Sequence, residues 1–154
     1  LLEAVKDDRI DVIATDHAPH TLEEKQRSYF QAPSGLPLVQ YALPSLLEHY
    51  HRGLLSLPRI VEKTSHSPAR LFAVKDRGFI REGYWADLVL VDLHHAQMVT
   101  PENILGACGW SPFEGYRFRS AVDLTMVNGC IAYQDGISRE KPRGLPLEFQ
   151  RTPS

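Results

Sequence analysis

The chain is short of cysteine and of long apolar runs, and both shortages exclude classes of protein. Among 154 residues there are two cysteines, Cys108 and Cys130, and their spacing fits no zinc motif. We therefore expect reduced thiols and an intracellular, cytoplasmic protein. No apolar stretch reaches the roughly 20 residues of a membrane-spanning helix, and no signal-peptide pattern is visible. A membrane or secreted protein is not expected.

Neither sign of charge predominates in the chain. There are 17 Lys and Arg against 19 Asp and Glu, for a formal net charge of −2, and the two signs are interspersed. No basic stripe of the kind that binds nucleic acid is present, so we expect no nucleic-acid partner. Hydrophobic residues at 43% and charged residues at 23% are typical of a soluble globular protein.

The first half of the chain has helical periodicity around one short strand. Residues 1–8 resemble the end of a helix, and the β-branched run from Ile10 to Thr15 predicts a strand buried on both faces. A polar loop over residues 17–34 follows. Helices are then predicted over residues 35–53, with a kink or division at Pro44, and from residue 57, capped by Ser56. A break is expected at Ser67-Pro68, followed by another short helix with Pro68 near its first position.

After Val74 the apolar pattern changes from helical to alternating. Residues 86–93 form the strongest predicted strand, and residues 121–136 read as two strands joined at Asn128-Gly129, a dipeptide favoured in tight hairpins. The proline-rich tail predicts a surface arm. We therefore divide the chain into an α/β part (1–73), a β part (74–138) and a tail (139–154). Because it begins at Leu1 within a helix-like pattern, we also expect the chain to be the C-terminal part of a longer protein.

The stretch IATDHAPH, residues 13–20, is the best candidate for chemistry. In α/β barrels the catalytic groups lie at the C-terminal ends of strands, which is where Asp16 falls. Its carboxylate could bind a divalent metal or transfer a proton, and His20 could bind an anionic substrate. The alternative is that Asp16 only caps a turn, and His17 is a weaker candidate than Asp16. A catalytic zinc typically needs three protein ligands, and this chain offers no convincing further set.

Several motifs together resemble one family. TDHAPH, APSGLPLVQYALPSLL, SPARLF, GFIREGYWADLVLVD and SPFEGYRFRSAVDLTMVNGCIAYQDG occur in the order found in the C-terminal portion of dihydroorotases, members of the amidohydrolase superfamily. The ADLVLVD segment is shared across the superfamily, whereas DHAPH with SPFEG is more particular to dihydroorotases.

The resemblance implies a fold and a reaction. The fold would be the end of a TIM-type (β/α)8 barrel, closed by its eighth strand over Asp11 to Thr15, followed by part of a small β-sandwich. The reaction would be the reversible cyclisation of N-carbamoyl-L-aspartate to L-dihydroorotate in pyrimidine synthesis. The alternatives are another cyclic amidohydrolase, acting on hydantoins, dihydropyrimidines or allantoin, and a non-catalytic scaffold subunit.

The resemblance also implies roles for four residues. Asp16 would be a zinc ligand and general acid/base, His20 would contact the substrate carboxylate, and Ser34 and Gly35 would offer backbone groups to the substrate. One or two zinc ions would be held mostly by ligands outside these 154 residues, so the chain alone is expected to be inactive. The partner would be a small molecule, with a homodimer or an association with aspartate transcarbamoylase left open.

Overall fold

Helices predominate in the first half of the chain and strands in the second, so both element types of the predicted α/β class are present. The computed structural model describes residues 1–139 and 144–150. The α-helices are α1 (Leu2–Lys6), α2 (Leu22–Lys25), α3 (Ala42–His51), α4 (Leu57–Val61) and α5 (Ser67–Leu71). The strands are β1 (Leu88–Asp92), β2 (Gln97–Met98), β3 (Arg117–Phe118), β4 (Ala121–Val127), β5 (Cys130–Gln134) and β6 (Ile137–Ser138). No helix in these ranges is long and apolar enough to cross a membrane.

The chain folds as two units, and neither is continuous in sequence. The first unit contains Leu1–Ile13, Arg52–Asp92 and the residues from Val122 onward, and the second contains Ala14–His51 and Leu93–Ala121. The division into residues 1–73, 74–138 and 139–154 follows the expected family architecture, and it stays a prediction.

A four-stranded sheet in the order β1-β4-β5-β6 lies in the first unit. The predicted hairpin at Asn128-Gly129 is confirmed, because β4 and β5 pair antiparallel with Val127 opposite Cys130. Both turn residues have positive φ, 50° and 80°, as a type I′ turn requires. A second turn at Asp135-Gly136 joins β5 to β6 with similar angles, 51° and 81°.

The helical run from Leu57 to Leu71 confirms one prediction and corrects another. The Ser56 hydroxyl accepts a hydrogen bond from the Arg59 amide at 3.3 Å and caps α4, with Pro58 in the first turn. The short helix predicted to start here is confirmed, because α5 begins at Ser67 with Pro68 in its first turn, but no gap precedes it, since a π-helical segment, Glu62–His66, joins α4 to α5. A wider turn is one way for a helix to accept a proline that cannot donate the usual hydrogen bond.

The predicted strand from Ile10 to Thr15 does not form a paired strand. These residues are half-buried or exposed, and they carry no strand assignment. A parallel strand buried on both faces needs a neighbour on each side. In the described part of the chain this segment has only scattered links, such as the hydrogen bond from the Ile13 amide to the Lys63 carbonyl at 3.0 Å.

Aromatic side chains form the core of the second unit. Tyr41, Val99 and Phe118 are buried, and Phe113 packs against them. The Tyr41 and Phe118 rings stack with centroids 5.7 Å apart, while Phe113 meets Phe118 edge to face at 5.3 Å. Tyr41 ends the 3₁₀ helix Val39–Tyr41, which runs directly into α3. The division of this helix therefore falls before Pro44, which lies in the first turn of α3, where its missing N–H is not needed.

A buried glutamate ties α3 to Arg119, the residue that follows β3, within the second unit. Glu48 accepts hydrogen bonds from the Arg119 amide at 2.8 Å and from its Nε at 3.1 Å. Burial alone would raise the pKa of Glu48, but the hydrogen bonds from the backbone and side chain of Arg119 outweigh it and lower the pKa. Nearby, His51 Nε2 lies 2.7 Å from Ser120 Oγ.

The tail runs along the first unit where it is described. The Lys75 amide donates to the Glu148 carbonyl at 2.8 Å, and the Gln150 amide donates to the Ala73 carbonyl at 2.8 Å. Residues 144–150 are exposed, in accord with the predicted surface arm. Residues 140–143 and 151–154 of that arm lie outside the described residues.

Glu48→Gln should destabilise the protein at pH 7 by about 1.5–3 kcal/mol, the range for hydrogen bonds to a charged group. The folded pKa of Glu48 is lowered from 4.5, so its charged form stabilises the fold above about that pH. This contribution is lost as the pH falls through the folded pKa, so the two proteins should converge in strong acid. Urea unfolding at pH 7 and pH 3 measures the difference.

Glu3→Gln is the matched control, because Glu3 forms an exposed ion pair with Lys6. Its effect should stay within about 0.5 kcal/mol at both pH values. An equal effect of the Glu48 and Glu3 substitutions at pH 7 would contradict the role assigned to Glu48.

Candidate active site

The segment from Asp16 to Leu36 is a loop whose two ends are joined. The Ala18 amide donates to the Leu36 carbonyl at 3.0 Å, and His17 and Leu36 form a parallel bridge. Between these ends lies α2, inside what the sequence analysis treated as a plain polar loop. Thr21 and Glu24 form a capping box at its start. That pattern, Thr-x-x-Glu, is visible in the sequence and would have revealed the helix.

Asp16 lies at the start of this loop with an exposed side chain and a positive φ of 47°. Aspartate is among the few residues that adopt this left-handed conformation readily. Within the described residues, no three His, Cys, Asp or Glu side chains are grouped so that they could hold a metal ion. Asp16 can therefore supply one ligand, and its exposed carboxylate is of a type that zinc accepts.

His20 is anchored through its backbone. Its carbonyl accepts a hydrogen bond from Trp110 Nε1 at 2.8 Å, and its ring Nδ1 lies 3.8 Å from a carboxylate oxygen of Glu24. The backbone amide and the hydroxyl of Thr21 hold the pKa of Glu24 below its usual value, and His20 adds to this effect. Sequence reasoning missed Trp110, because nothing local relates residues 90 positions apart.

Ser34 and Gly35 lie at the far end of the loop, and Lys25 holds them. Lys25 Nζ donates to the Pro33 carbonyl at 2.7 Å and to the Gly35 carbonyl at 3.1 Å. Ser34, between them, is exposed. Sequence reasoning also missed Lys25, since a lysine in a charged stretch is normally read as a solvated surface group.

Gly35 is required by the backbone conformation and the packing of the loop itself. The structure places it against the other end of the loop, and its expected backbone contact with a substrate stays a prediction. Its φ is +96°, and an added Cβ would lie 2.4 Å from the Ala18 Cβ. A side chain is therefore excluded by the backbone conformation and by the contact with Ala18.

His17 lines a pocket in the second unit. Its Nδ1 accepts a hydrogen bond from the Val39 amide at 3.3 Å, so the neutral ring carries its proton on Nε2. The adjacent pocket has a volume of about 330 Å³, and its other walls include Pro37, Val39, Gln40, Tyr41, Ile104, Leu105 and Trp110.

The SPFEG motif, residues 111–115, forms a turn that supports the loop. Ser111 is buried, and its hydroxyl accepts a hydrogen bond from the Phe113 amide at 3.2 Å. Phe113 packs into the aromatic core, and the Gly115 amide donates to the Val99 carbonyl at 2.9 Å. The motif thus fixes the position of Trp110, immediately before it, which binds the His20 carbonyl.

The structure places all four predicted site residues, Asp16, His20, Ser34 and Gly35, in the second unit on one closed loop. Among the described residues it records no hydrogen bond between the side chains of Asp16, His20 and Ser34. The structure also identifies two side chains that hold the loop through its backbone carbonyls, Lys25 and Trp110.

Comparisons with known proteins show that the chain is similar to members of the amidohydrolase family. The amidohydrolase family matches residues 1–132. A dihydroorotase from Halobacterium salinarum is 47% identical over 116 residues, covering 75% of this chain and 28% of that protein. A dihydroorotase from Pyrococcus abyssi is 40% identical over 137 residues, covering 89% of this chain and 33% of that protein. The chain spans about a third of the length of these curated relatives.

Solved structures agree with this similarity. The L-hydantoinase (dihydropyrimidinase) from Arthrobacter aurescens superposes with a TM-score of 0.83 at 30% identity, over 90% of this chain and 32% of that chain. A D-hydantoinase (dihydropyrimidinase) from a Thermus species gives 0.83 at 26% identity, over 91% of this chain and 32% of that chain.

Gly35→Ala should destabilise the protein by about 2–4 kcal/mol, because the left-handed backbone costs about 1–2 kcal/mol and the Cβ contact adds to it. Gly109→Ala is the matched control in the same unit, since Gly109 has a φ of +72° with open space around its Cβ position. Denaturant unfolding compares the two variants.

The double variant Gly35→Ala with Ala18→Gly removes the opposing Cβ and isolates the steric part. It should be more stable than the sum of the single effects predicts. If Gly35→Ala costs no more than Gly109→Ala, the contact between Gly35 and Ala18 does not explain the glycine.

Proposed function

The chain belongs to the amidohydrolase family, and from this premise we propose that it is part of a dihydroorotase. The protein would interconvert L-dihydroorotate and N-carbamoyl-L-aspartate. The observation that carries the proposal is the closed loop of residues 16–36, which holds the DHAPH motif, in a chain 47% and 40% identical to two dihydroorotases.

The finer architecture is also proposed. Residues 11–15 would be the last strand of a barrel whose neighbouring strands come from the rest of the protein, and residues 74–138 would contribute to a β-sandwich. The unpaired, partly exposed state of residues 10–15 supports this view, because the segment has strand-like sequence but no partner strand in the described residues. The coverage of about a third of each similar solved structure is consistent with it.

Asp16 would hold a metal ion and handle a proton. A zinc ion, when bound, would polarise the ring amide of the substrate. The single exposed carboxylate of Asp16 fits one ligand of such a site, and the other ligands would come from outside this chain. In ring opening, water adds to the amide carbon, the C–N bond breaks, and Asp16 would carry a proton from the attacking water to the departing nitrogen.

His20 would bind the carboxylate of the substrate. An imidazole N–H donating to a carboxylate is a charge-assisted hydrogen bond, and its strength depends on the orientation of the ring. The Trp110 bond to the His20 carbonyl and the nearby Glu24 carboxylate support a fixed position for this residue. Backbone groups at Ser34 and Gly35 would complete the contacts with the substrate.

The assignments of partner and compartment are proposals of the same kind. We take the cytoplasm as the compartment, in keeping with the free thiols of Cys108 and Cys130. A homodimer and an association with aspartate transcarbamoylase stay predictions.

The direct test of the function is ring opening of L-dihydroorotate by the complete protein with zinc, measured beside hydantoin, dihydrouracil and allantoin. We expect dihydroorotate to be the preferred substrate. Preference for another ring would shift the assignment to a different cyclic amidohydrolase. A folded, zinc-loaded protein inactive on all four would favour a scaffold subunit.

Asp16→Asn in the complete protein should lower kcat by about 10²–10⁴, the usual contribution of a positioned acid or base. Because asparagine also adopts the left-handed conformation seen at residue 16, the unfolding midpoint of the metal-free protein should not change. Asp11→Asn is the matched control, since Asp11 is an exposed aspartate five positions earlier. Near-normal turnover by Asp16→Asn would overturn its role.

His20→Ala should raise KM for dihydroorotate by about 10–100-fold, the factor for losing one charge-assisted hydrogen bond. The effect on kcat should be smaller, since the contact is made to a carboxylate remote from the bond that breaks. His95→Ala, which removes an exposed histidine of the same unit, serves as the control. An unchanged KM would remove His20 from the substrate site.

A further inference from the structure

One cation holds the end of the loop that carries Ser34 and Gly35. Lys25, the last residue of α2, is half-buried, and its Nζ bonds the Pro33 carbonyl at 2.7 Å and the Gly35 carbonyl at 3.1 Å. Among the described residues no carboxylate forms an ion pair with Lys25. Its charge is therefore matched by backbone carbonyls on either side of Ser34.

We propose that Lys25 is a positioning residue for substrate binding, acting by fixing the peptide groups around Ser34. The inference rests on the proposed function, because it assigns Lys25 to the same substrate loop. It adds to that function a residue that need not touch the substrate and acts through the backbone.

Peptide geometry explains how a side chain can act in this way. The peptide bond is planar and trans, so the Ser34 N–H points opposite to the Pro33 carbonyl. By drawing the Pro33 carbonyl toward its ammonium group, Lys25 turns the Ser34 N–H away from itself. The bond to the Gly35 carbonyl fixes the following residue in the same way. Lys25 thus sets the direction of the Ser34 and Leu36 N–H groups, which follow the two bonded carbonyls.

Apart from the packing of Gly35 against Ala18, the other contacts recorded among the described residues of this part of the loop are local. Tyr29 and Phe30, which precede it, are 90% and 96% exposed, so apolar packing of these rings does not anchor the segment. The amides of Gln31 and Ala32 bond the Ser28 carbonyl at 2.8 Å, which makes a local turn only. After residue 35 the chain is held by the hydrogen bond from the Ala18 amide to the Leu36 carbonyl. Lys25 is therefore the principal link between α2 and residues 33–35.

The test is Lys25→Met in the complete protein, with Lys6→Met as the matched control. Methionine keeps an unbranched apolar side chain and removes the donors, and Lys6 lies in an exposed ion pair with Glu3 in the other unit. We expect KM for dihydroorotate to rise about tenfold for Lys25→Met, with kcat changed by less than about threefold. Lys25→Arg, which restores the donors, should recover most of the loss.

Hydrogen exchange gives a readout that does not need activity. The Ala18 amide, whose hydrogen bond to the Leu36 carbonyl closes the loop, should exchange faster in Lys25→Met than in the wild type or Lys6→Met. If exchange rises but KM does not, Lys25 is only structural and the inference is wrong. If Lys25→Met matches Lys6→Met in both measurements, it is also wrong.

If the proposed function is wrong, the result differs from a failure of the Lys25 inference. In that case the wild-type complete protein does not open dihydroorotate, while the exchange comparison still reports whether Lys25 holds the loop.

Discussion

The hydrogen bond from the Ala18 amide to the Leu36 carbonyl is the contact on which the candidate site depends. It closes the loop that carries Asp16, His20, Ser34 and Gly35, and it places Gly35 against Ala18, where no side chain fits. A closed loop loses less conformational entropy when it binds a ligand than an open one does. The left-handed backbone at Asp16 and the glycine at residue 35 both belong to this closed loop.

Backbone carbonyls, more than side-chain pairs, position the residues of this loop. Trp110 binds the carbonyl of His20, and Lys25 binds those of Pro33 and Gly35. Such contacts leave the side chains of the site residues available for chemistry. They also connect the loop to the aromatic core, because Trp110 precedes the SPFEG turn whose Phe113 packs beside Phe118. A motif that marks the family in sequence thus supports the site from a distance.

Short sequence motifs predicted turns and helix caps correctly, but they did not predict structure that depends on contacts between residues far apart in sequence. The Asn128-Gly129 hairpin and the Ser56 cap are confirmed because both depend on a few adjacent residues. The strand over residues 10–15 does not form because pairing depends on neighbours that the described residues do not provide. A helix does start at Ser67-Pro68, as predicted, but no gap precedes it, because a π-helical segment joins it to the helix before.

Sequence by itself determined the α/β class, the family and the segment proposed to carry the site, because these follow from apolar periodicity and from motifs of contiguous residues. The tertiary structure alone decided that Gly35 packs against Ala18, that Trp110 reaches His20 and that Lys25 turns inward to two carbonyls. Each of these contacts joins residues between 8 and 90 positions apart, and no local preference encodes which of them meet. Only the packing of the second unit brings them within hydrogen-bond or van der Waals distance.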